Sequence, residues 1–375
     1  MAPRTASLTT RLLLASLSTL LALVAVEATA RLADPHRIDG LNMSAFTRPA
    51  TRPGQMTELI PGATNDHFLG GPVRINADGL RGAPLLEDSA SERFVAVGDS
   101  VTFGYGVREE DTWIAQLSAE LADLGHPMEP VNAGLSGAGL RYYHSFLQRR
   151  CSELAPDRVL VGLVINDIAT YPEDTATAEK PVHRRRLGAQ LNHALMTHSH
   201  VYTASVPLAK GLAYRTGLLD LNDNPGFAFV ALDSPSPAQQ SAWDSSLSLL
   251  DDIADEVDRC GARFTLVMFP VETQLSEDAL RLYRDGLGVH IADTAMNGEP
   301  QERVRAWASA RGVDFVDLLP DFRAQHTAED SLFLRSDVVA IDPVHLSARG
   351  NAVTAGVLAS HFTARRQGAV AEVVP

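Results

Sequence analysis

A serine, a glycine, an asparagine and an Asp-x-x-His pair are the residues of this chain whose types and spacing could do chemistry. Ser100 stands in FVAVGDSVTFGYGV, where four apolar or small residues run into Gly-Asp-Ser and then into a loop punctuated by Gly104 and Gly106. A serine hydroxyl is a poor nucleophile until a base takes its proton, and by itself Gly-Asp-Ser suits a turn or a helix cap equally well. A base is available far downstream. In AIDPVHLSARGN, Asp342 and His345 lie three apart, just before a segment that Ser347 can cap. A carboxylate at that spacing can accept from one imidazole nitrogen, fix the tautomer and leave the other nitrogen for a serine. Asp-x-x-His alone reads equally well as a capping loop. Gly134 in VNAGLSG offers an unobstructed backbone N–H, and Asn166 in GLVINDIA offers an amide. Donors aimed at a tetrahedral oxyanion are worth about 10²- to 10³-fold each in rate, while the plainer readings are a tight turn and a strand-ending cap. His183, His193, His198 and His200 have no carboxylate at a diagnostic spacing and read as surface residues.

These residues need a scaffold that brings them to one place. Phe94–Val97 reads as a buried strand, followed by a helix capped at Asp111-Thr112 with Trp113, Leu117, Leu121 and Leu124 on one face. The alternation continues with a strand in EPVNAG, a helix over Tyr142–Leu154, the strand RVLVGLVIN and a helix over Ala242–Arg259. The strand RFTLVMFP, a helix over Gln301–Ala310, the strand VDFVDL and a closing helix over Ser347–Ala364 follow. Strands alternating with helices predict an α/β fold, here a flavodoxin-like three-layer α/β/α sandwich with five parallel strands in the order 2-1-3-4-5. The site belongs at the carboxyl ends of the strands, beside the switch point. Residues 168–241 interrupt the rhythm as a helical insertion, either a lid or a surface elaboration resting on the membrane. Residues 32–92 are a Pro/Gly-rich lead-in with a small hairpin near Val73–Ile75, and 367–375 form a tail.

Serine after strand one, glycine after strand two, asparagine after strand three and Asp-x-x-His before the last helix form an ordered set. It resembles the SGNH hydrolases, or GDSL lipases/esterases, whose blocks are Gly-Asp-Ser, Gly, Gly-x-Asn-Asp and Asp-x-x-His. The resemblance spans Phe94 to about Ala364, so that residues 93–366 are the expected hydrolase domain. It implies Ser100 as nucleophile, His345 as general base and then acid, and Asp342 as its orienting carboxylate. An oxyanion hole of the Ser100 N–H, the Gly134 N–H and the Asn166 side chain is implied with them. The third block departs from the pattern: Val164 stands where the family has glycine, which bears on the width of the pocket beside Asn166. RINADGLRG after an apolar N-terminal helix looks like membrane-anchored bacterial members, whose substrates are often acylated glycans or lipids. Under this fold Cys151 and Cys260 precede neighbouring strands, so a Cys151–Cys260 disulfide is one reading and two unpaired, buried cysteines the other.

Composition narrows the partners. A formal net charge of -14, from 32 Lys+Arg against 46 Asp+Glu, makes a nucleic-acid backbone an unsuitable partner. Arg4 and Arg11 precede the uncharged run Leu12–Val26, so residues 1–31 read as a signal peptide cleaved after Ala28-Thr29-Ala30, or as a retained anchor, with the rest of the chain outside the cytoplasm. The expectation is an extracytoplasmic serine esterase acting on a short acyl ester of a carbohydrate or lipid, without cofactor or metal. An O-acyltransferase using the same triad stays open. So does a non-catalytic flavodoxin-like module binding phosphate or flavin through SVTFGYG, which would have no use for Asp342 and His345.

Overall fold

A computed structural model describes residues 7–50, 57–86, 91–168, 191–192, 194–219, 237–286, 289, 291, 293–327, 329–335 and 342–373. Its strands in chain order are β1 (Thr47–Pro49), β2 (Thr57–Leu59), β3 (Thr64–Phe68), β4 (Gly71–Arg74), β5 (Glu92–Gly98), β6 (Met128–Gly134), β7 (Arg158–Val164), β8 (Arg263–Phe269) and β9 (Asp314–Asp317). The helices that matter below are α1 (Leu8–Ala33), α2 (Arg37–Leu41), α3 (Ser100–Phe103), α4 (Trp113–Asp123), α5 (Leu140–Leu154), α6 (His200–Arg215), α7 (Pro237–Arg259), α8 (Glu299–Arg311) and α9 (Ala348–Val373). The chain divides into two units, one of residues 1–42 and 174–219 and one of 43–173 and 220–375.

The larger unit is built on a five-stranded, all-parallel sheet in the order β6-β5-β7-β8-β9. That is a 2-1-3-4-5 sequence of its strands, with the switch point between β5 and β7. Its central strands are apolar on both faces, with Phe94–Val97, Val159–Val161 and Leu266–Phe269 all buried, because helices cover both sides. Helix α4 packs against α9, and α5 packs against α7, which also meets α8. Thr112 caps α4 by accepting from the Ala115 N–H, and Trp113, Ile114, Leu117 and Leu121 face the core. Leu124 lies past the end of that helix and is exposed, so the apolar stripe is one residue shorter than its spacing predicts. At the other end of the chain, α9 runs on to Val373, so backbone expected as a tail is helical.

The lead-in forms two antiparallel pairs, β1 with β2 and β3 with β4. They enclose a small apolar cluster of Phe46, Phe68, Val73 and Ile75, completed by Phe103 of α3. Cys151 in the last turn of α5 and Cys260 after α7 are joined by a disulfide, their Cα atoms 5.9 Å apart.

The smaller unit consists of α1, α2 and α6 with the residues around them. Here an expectation fails: His200 is buried, its Nε2 against the Pro35 carbonyl at 3.3 Å and its ring near Glu27, because it opens α6 where that helix meets α1. His183, His193 and most of 168–241 lie outside the described residues.

Candidate active site

The carboxyl ends of β5, β6 and β7 carry glycines, and their absence of side chains sets the position of Ser100. A Cβ on Gly98 would stand 2.0 Å from Thr102 Oγ1, and one on Gly162 would stand 2.3 Å from the same atom. One on Gly134 would stand 2.1 Å from the Phe103 backbone nitrogen. The short helix α3 can therefore settle onto three strand ends at once, which puts its first residue, Ser100, at the sheet edge. Asp99 caps this helix by accepting from the Val101 N–H at 2.8 Å, and Gly104, at φ 85°, closes it.

Behind the nucleophile loop stands Arg81 of the lead-in, almost fully buried. It donates to the carbonyls of Phe103 and Gly104 at 2.6 Å each and of Val107 at 2.7 Å, its guanidinium 4.7 Å from the Phe103 ring centre. Burial pulls the Arg81 pKa down to about 10, against the charges of Glu109 and Glu110.

His345 reaches Ser100 across 245 positions of sequence. Its Nε2 lies 2.8 Å from Ser100 Oγ, and its Nδ1 lies 2.6 Å from Asp342 Oδ2. Asp342 Oδ1 accepts the N–H groups of Val344 at 2.9 Å and His345 at 2.8 Å, which locks the Asp-x-x-His turn. Burial pushes the Asp342 carboxyl up. The hydrogen bond and charge of His345 and the two backbone N–H groups outweigh it, so the group is held below the usual carboxylate range. The Tyr105 ring stacks on the imidazole at 4.3 Å between centres and is backed by Phe68 at 5.4 Å.

A second layer fixes the Asp342–His345 loop. Glu272, buried just beyond β8, accepts from Tyr283 Oη at 2.7 Å and from Arg335 Nη2 at 2.5 Å. Arg335 Nη1 in turn donates to the carbonyls of Leu334 at 2.9 Å and Asp342 at 3.1 Å, and the Glu272 N–H donates to the Pro343 carbonyl at 2.8 Å. Neither Arg81, Tyr105, Glu272 nor Arg335 stands out in the sequence. The only signal was the lead-in RINADGLRG, which contains Arg81.

Of the three oxyanion donors that the family resemblance implies, one is already engaged elsewhere. The Ser100 N–H is the first of α3, where a helix has no acceptor of its own for it. Asn166 lies half-buried in the turn that follows β7, with Oδ1 unpaired. The Gly134 N–H, however, donates to Asn132 Oδ1 at 3.0 Å, so it is engaged and the residue serves by its missing side chain. Gly137, three residues on at φ 75°, lies in the exposed turn, and its N–H pairs with nothing among the described residues. Beside Asn166, Asp167 is fully buried and accepts from Tyr143 Oη and the Val164 N–H at 2.9 Å each. Burial, with the charge of Asp99 added, pushes it well above the usual carboxylate range. Burial raises Asp99 as well.

The sequence model of the GDSL-like Lipase/Acylhydrolase family matches residues 96–353. Esterase TesA of Pseudomonas aeruginosa is 31% identical over 83 residues, which cover 22% of this chain and 41% of that protein. The chain therefore spans about two fifths of the length of this curated relative. Among solved structures, TesA aligns over 71% of this chain and 96% of its own at 13% identity and a TM-score of 0.38. The acetyl xylan esterase AlAXEase aligns over 72% and 98% at 16% identity and a TM-score of 0.42.

Proposed function

The chain belongs to the GDSL-like lipase/acylhydrolase family and is a hydrolase of ester bonds, and from that premise we propose a serine esterase that works through an acyl-enzyme outside the cytoplasm. One observation carries this reading: the unbroken hydrogen-bond chain from Ser100 Oγ through His345 to Asp342. In the first half-reaction Ser100 Oγ attacks the acyl carbonyl while its proton passes to His345 Nε2. Asp342, kept ionised, stabilises the imidazolium that forms. The oxyanion is met by the Ser100 N–H, the Asn166 amide and, in place of Gly134, the Gly137 N–H. When the tetrahedral species collapses, Nε2 returns its proton to the leaving alcohol. Water then repeats the sequence on the acyl-serine, releasing the acid and restoring the hydroxyl.

The substrate in this proposal is a small acyl ester on a carbohydrate or lipid. Export is supported by Arg4 and Arg11 ahead of the uncharged run Leu12–Val26, which lies in a helix whose 25 residues Thr9–Ala33 are long and apolar enough to cross a bilayer. The test compares wild type with Ser100→Ala on p-nitrophenyl acetate, butyrate and octanoate. The variant is expected to lose about 10³-fold or more of kcat/KM, and the chain-length profile of the wild type sizes the acyl pocket. Equal ester cleavage by both proteins would remove Ser100 from the role of nucleophile.

A further inference from the structure

Helix α1 carries a carboxylate, Glu27, directly after its uncharged run Leu12–Val26. With Thr19, the middle of that run, at the bilayer midplane, the helical rise of about 1.5 Å per residue lifts Glu27 by about 12 Å, still inside the roughly 15 Å half-thickness of the hydrocarbon. An unpartnered carboxylate at that depth is costly. Glu27 is fully partnered, and by the inserted segment. Its oxygens accept the His200 N–H at 2.9 Å, the Val201 N–H at 3.2 Å and the Ser199 hydroxyl at 2.9 Å, which places the carboxylate on the amino end of α6. Arg31, paired with Glu27 at 2.9 Å, donates to the His198 carbonyl at 2.6 Å, and His200 reaches Pro35. Meanwhile Ala28-Thr29-Ala30 lies within the unbroken helix, the Ala30 carbonyl accepting from the Asp34 N–H at 3.0 Å. A cut after Ala30 would separate Glu27 from Arg31 and strip the amino end of α6 of its carboxylate.

We propose that α1 is retained in the mature protein as a membrane anchor, and that α6, pinned to its outer end by Glu27, lies in the outer leaflet's interface with its exposed leucines in lipid. The apolar side of α6 is Leu208 and Leu212, one turn apart and 76% and 64% exposed, while Lys210 points the opposite way. A helix with one leucine edge and a cation on the other side suits the boundary between headgroups and acyl chains. The bilayer is its occupant because α1, from which α6 hangs, crosses it. The inference rests on the export reading above and specifies what holds the enzyme at the surface.

The experiment uses the full chain made in a Gram-negative host. N-terminal sequencing of the membrane fraction is expected to find α1 intact; a soluble protein beginning at Arg31 would overturn the proposal. Single variants Leu208→Cys and Lys210→Cys, labelled with an environment-sensitive fluorophore without reduction, are then reconstituted in phosphatidylcholine/phosphatidylglycerol vesicles. Iodide is expected to quench position 208 about fivefold less than position 210, and nitroxide-bearing lipid is expected to quench 208 preferentially. Equal quenching at the two positions by both agents would refute the lipid contact. An impermeant thiol reagent applied to spheroplasts separates this from failure of the export reading: Lys210→Cys labelled only after lysis would place the chain inside.

Discussion

Removing the Cys151–Cys260 bond tests both the architecture and the compartment. The bond closes a loop across a sequence separation of 109 residues. Loop-closure entropy for that length is about 16 cal/mol/K, or about 4.8 kcal/mol at 25 °C. The unit that contains both cysteines has roughly 290 residues, for which an unfolding entropy of about 0.6 kcal/mol/K converts the loss into a fall in Tm of about 8 °C. Alanine is the replacement at both positions, since a serine at the buried Cys151 would add an unsatisfied hydroxyl. Cys151→Ala, Cys260→Ala and the double variant should melt at the same reduced temperature, because either single change already opens the loop. The cysteines precede β7 and β8, at the sheet edge opposite Ser100, so kcat/KM on p-nitrophenyl acetate at 25 °C should stay within about twofold of wild type. The assays are thermal melts of the detergent-solubilised full chain and mass spectrometry after alkylation in denaturant. Wild type should take up no alkyl group without reductant and two with it. Two reactive thiols in the unreduced protein would refute the bond, and with it the oxidising compartment. A bonded wild type that melts within about 2 °C of the double variant would refute the entropy argument.

Three further outcomes follow from the site. Gly134→Ala forces a methyl into the Phe103 backbone and should cost about 3 kcal/mol in stability, with a loss of kcat as α3 is displaced; an active, equally stable variant would show that α3 does not need the close approach. Glu272→Gln keeps the shape but removes the charge that holds Arg335, and should lower kcat about tenfold with KM little changed; a rise in KM at constant kcat would place Glu272 in substrate binding instead. Asp167 keeps its proton in the folded state to higher pH than in the unfolded chain, so its contribution is present at low pH and lost as pH rises through the raised folded value. Asp167→Asn has no such proton to lose, and melts from pH 4 to pH 8 should move steadily in the variant's favour, whereas a constant difference would show an ordinary carboxylate.

The strand order was legible because it depends on local pattern. Buried runs such as Phe94–Val97 and Leu266–Phe269 can only be central strands, and Asp342 and His345 meet within a single turn. The Gly134 N–H is taken by a side chain two residues back, a contact that no glycine pattern encodes. Glu272 and Arg335 are 63 positions apart, and each resembles a solvated loop charge until β8 and the Asp342–His345 loop meet. His200 looked like a surface residue because its partners, Glu27 and Pro35, come from the other end of the chain.

The distance in sequence between Ser100 and His345 has a consequence for the timing of synthesis. A ribosome delivers Gly-Asp-Ser early, together with β5 and β6, but the base arrives 245 residues later. Its seat is finished only when α9 docks, with Asn351 Oδ1 accepting the Trp113 N–H at 2.8 Å and tying the final helix to the start of α4. Until then the serine is an ordinary hydroxyl at the start of a short helix. A chain truncated before residue 345 has no base for Ser100, so activity is confined to molecules whose synthesis and folding are complete.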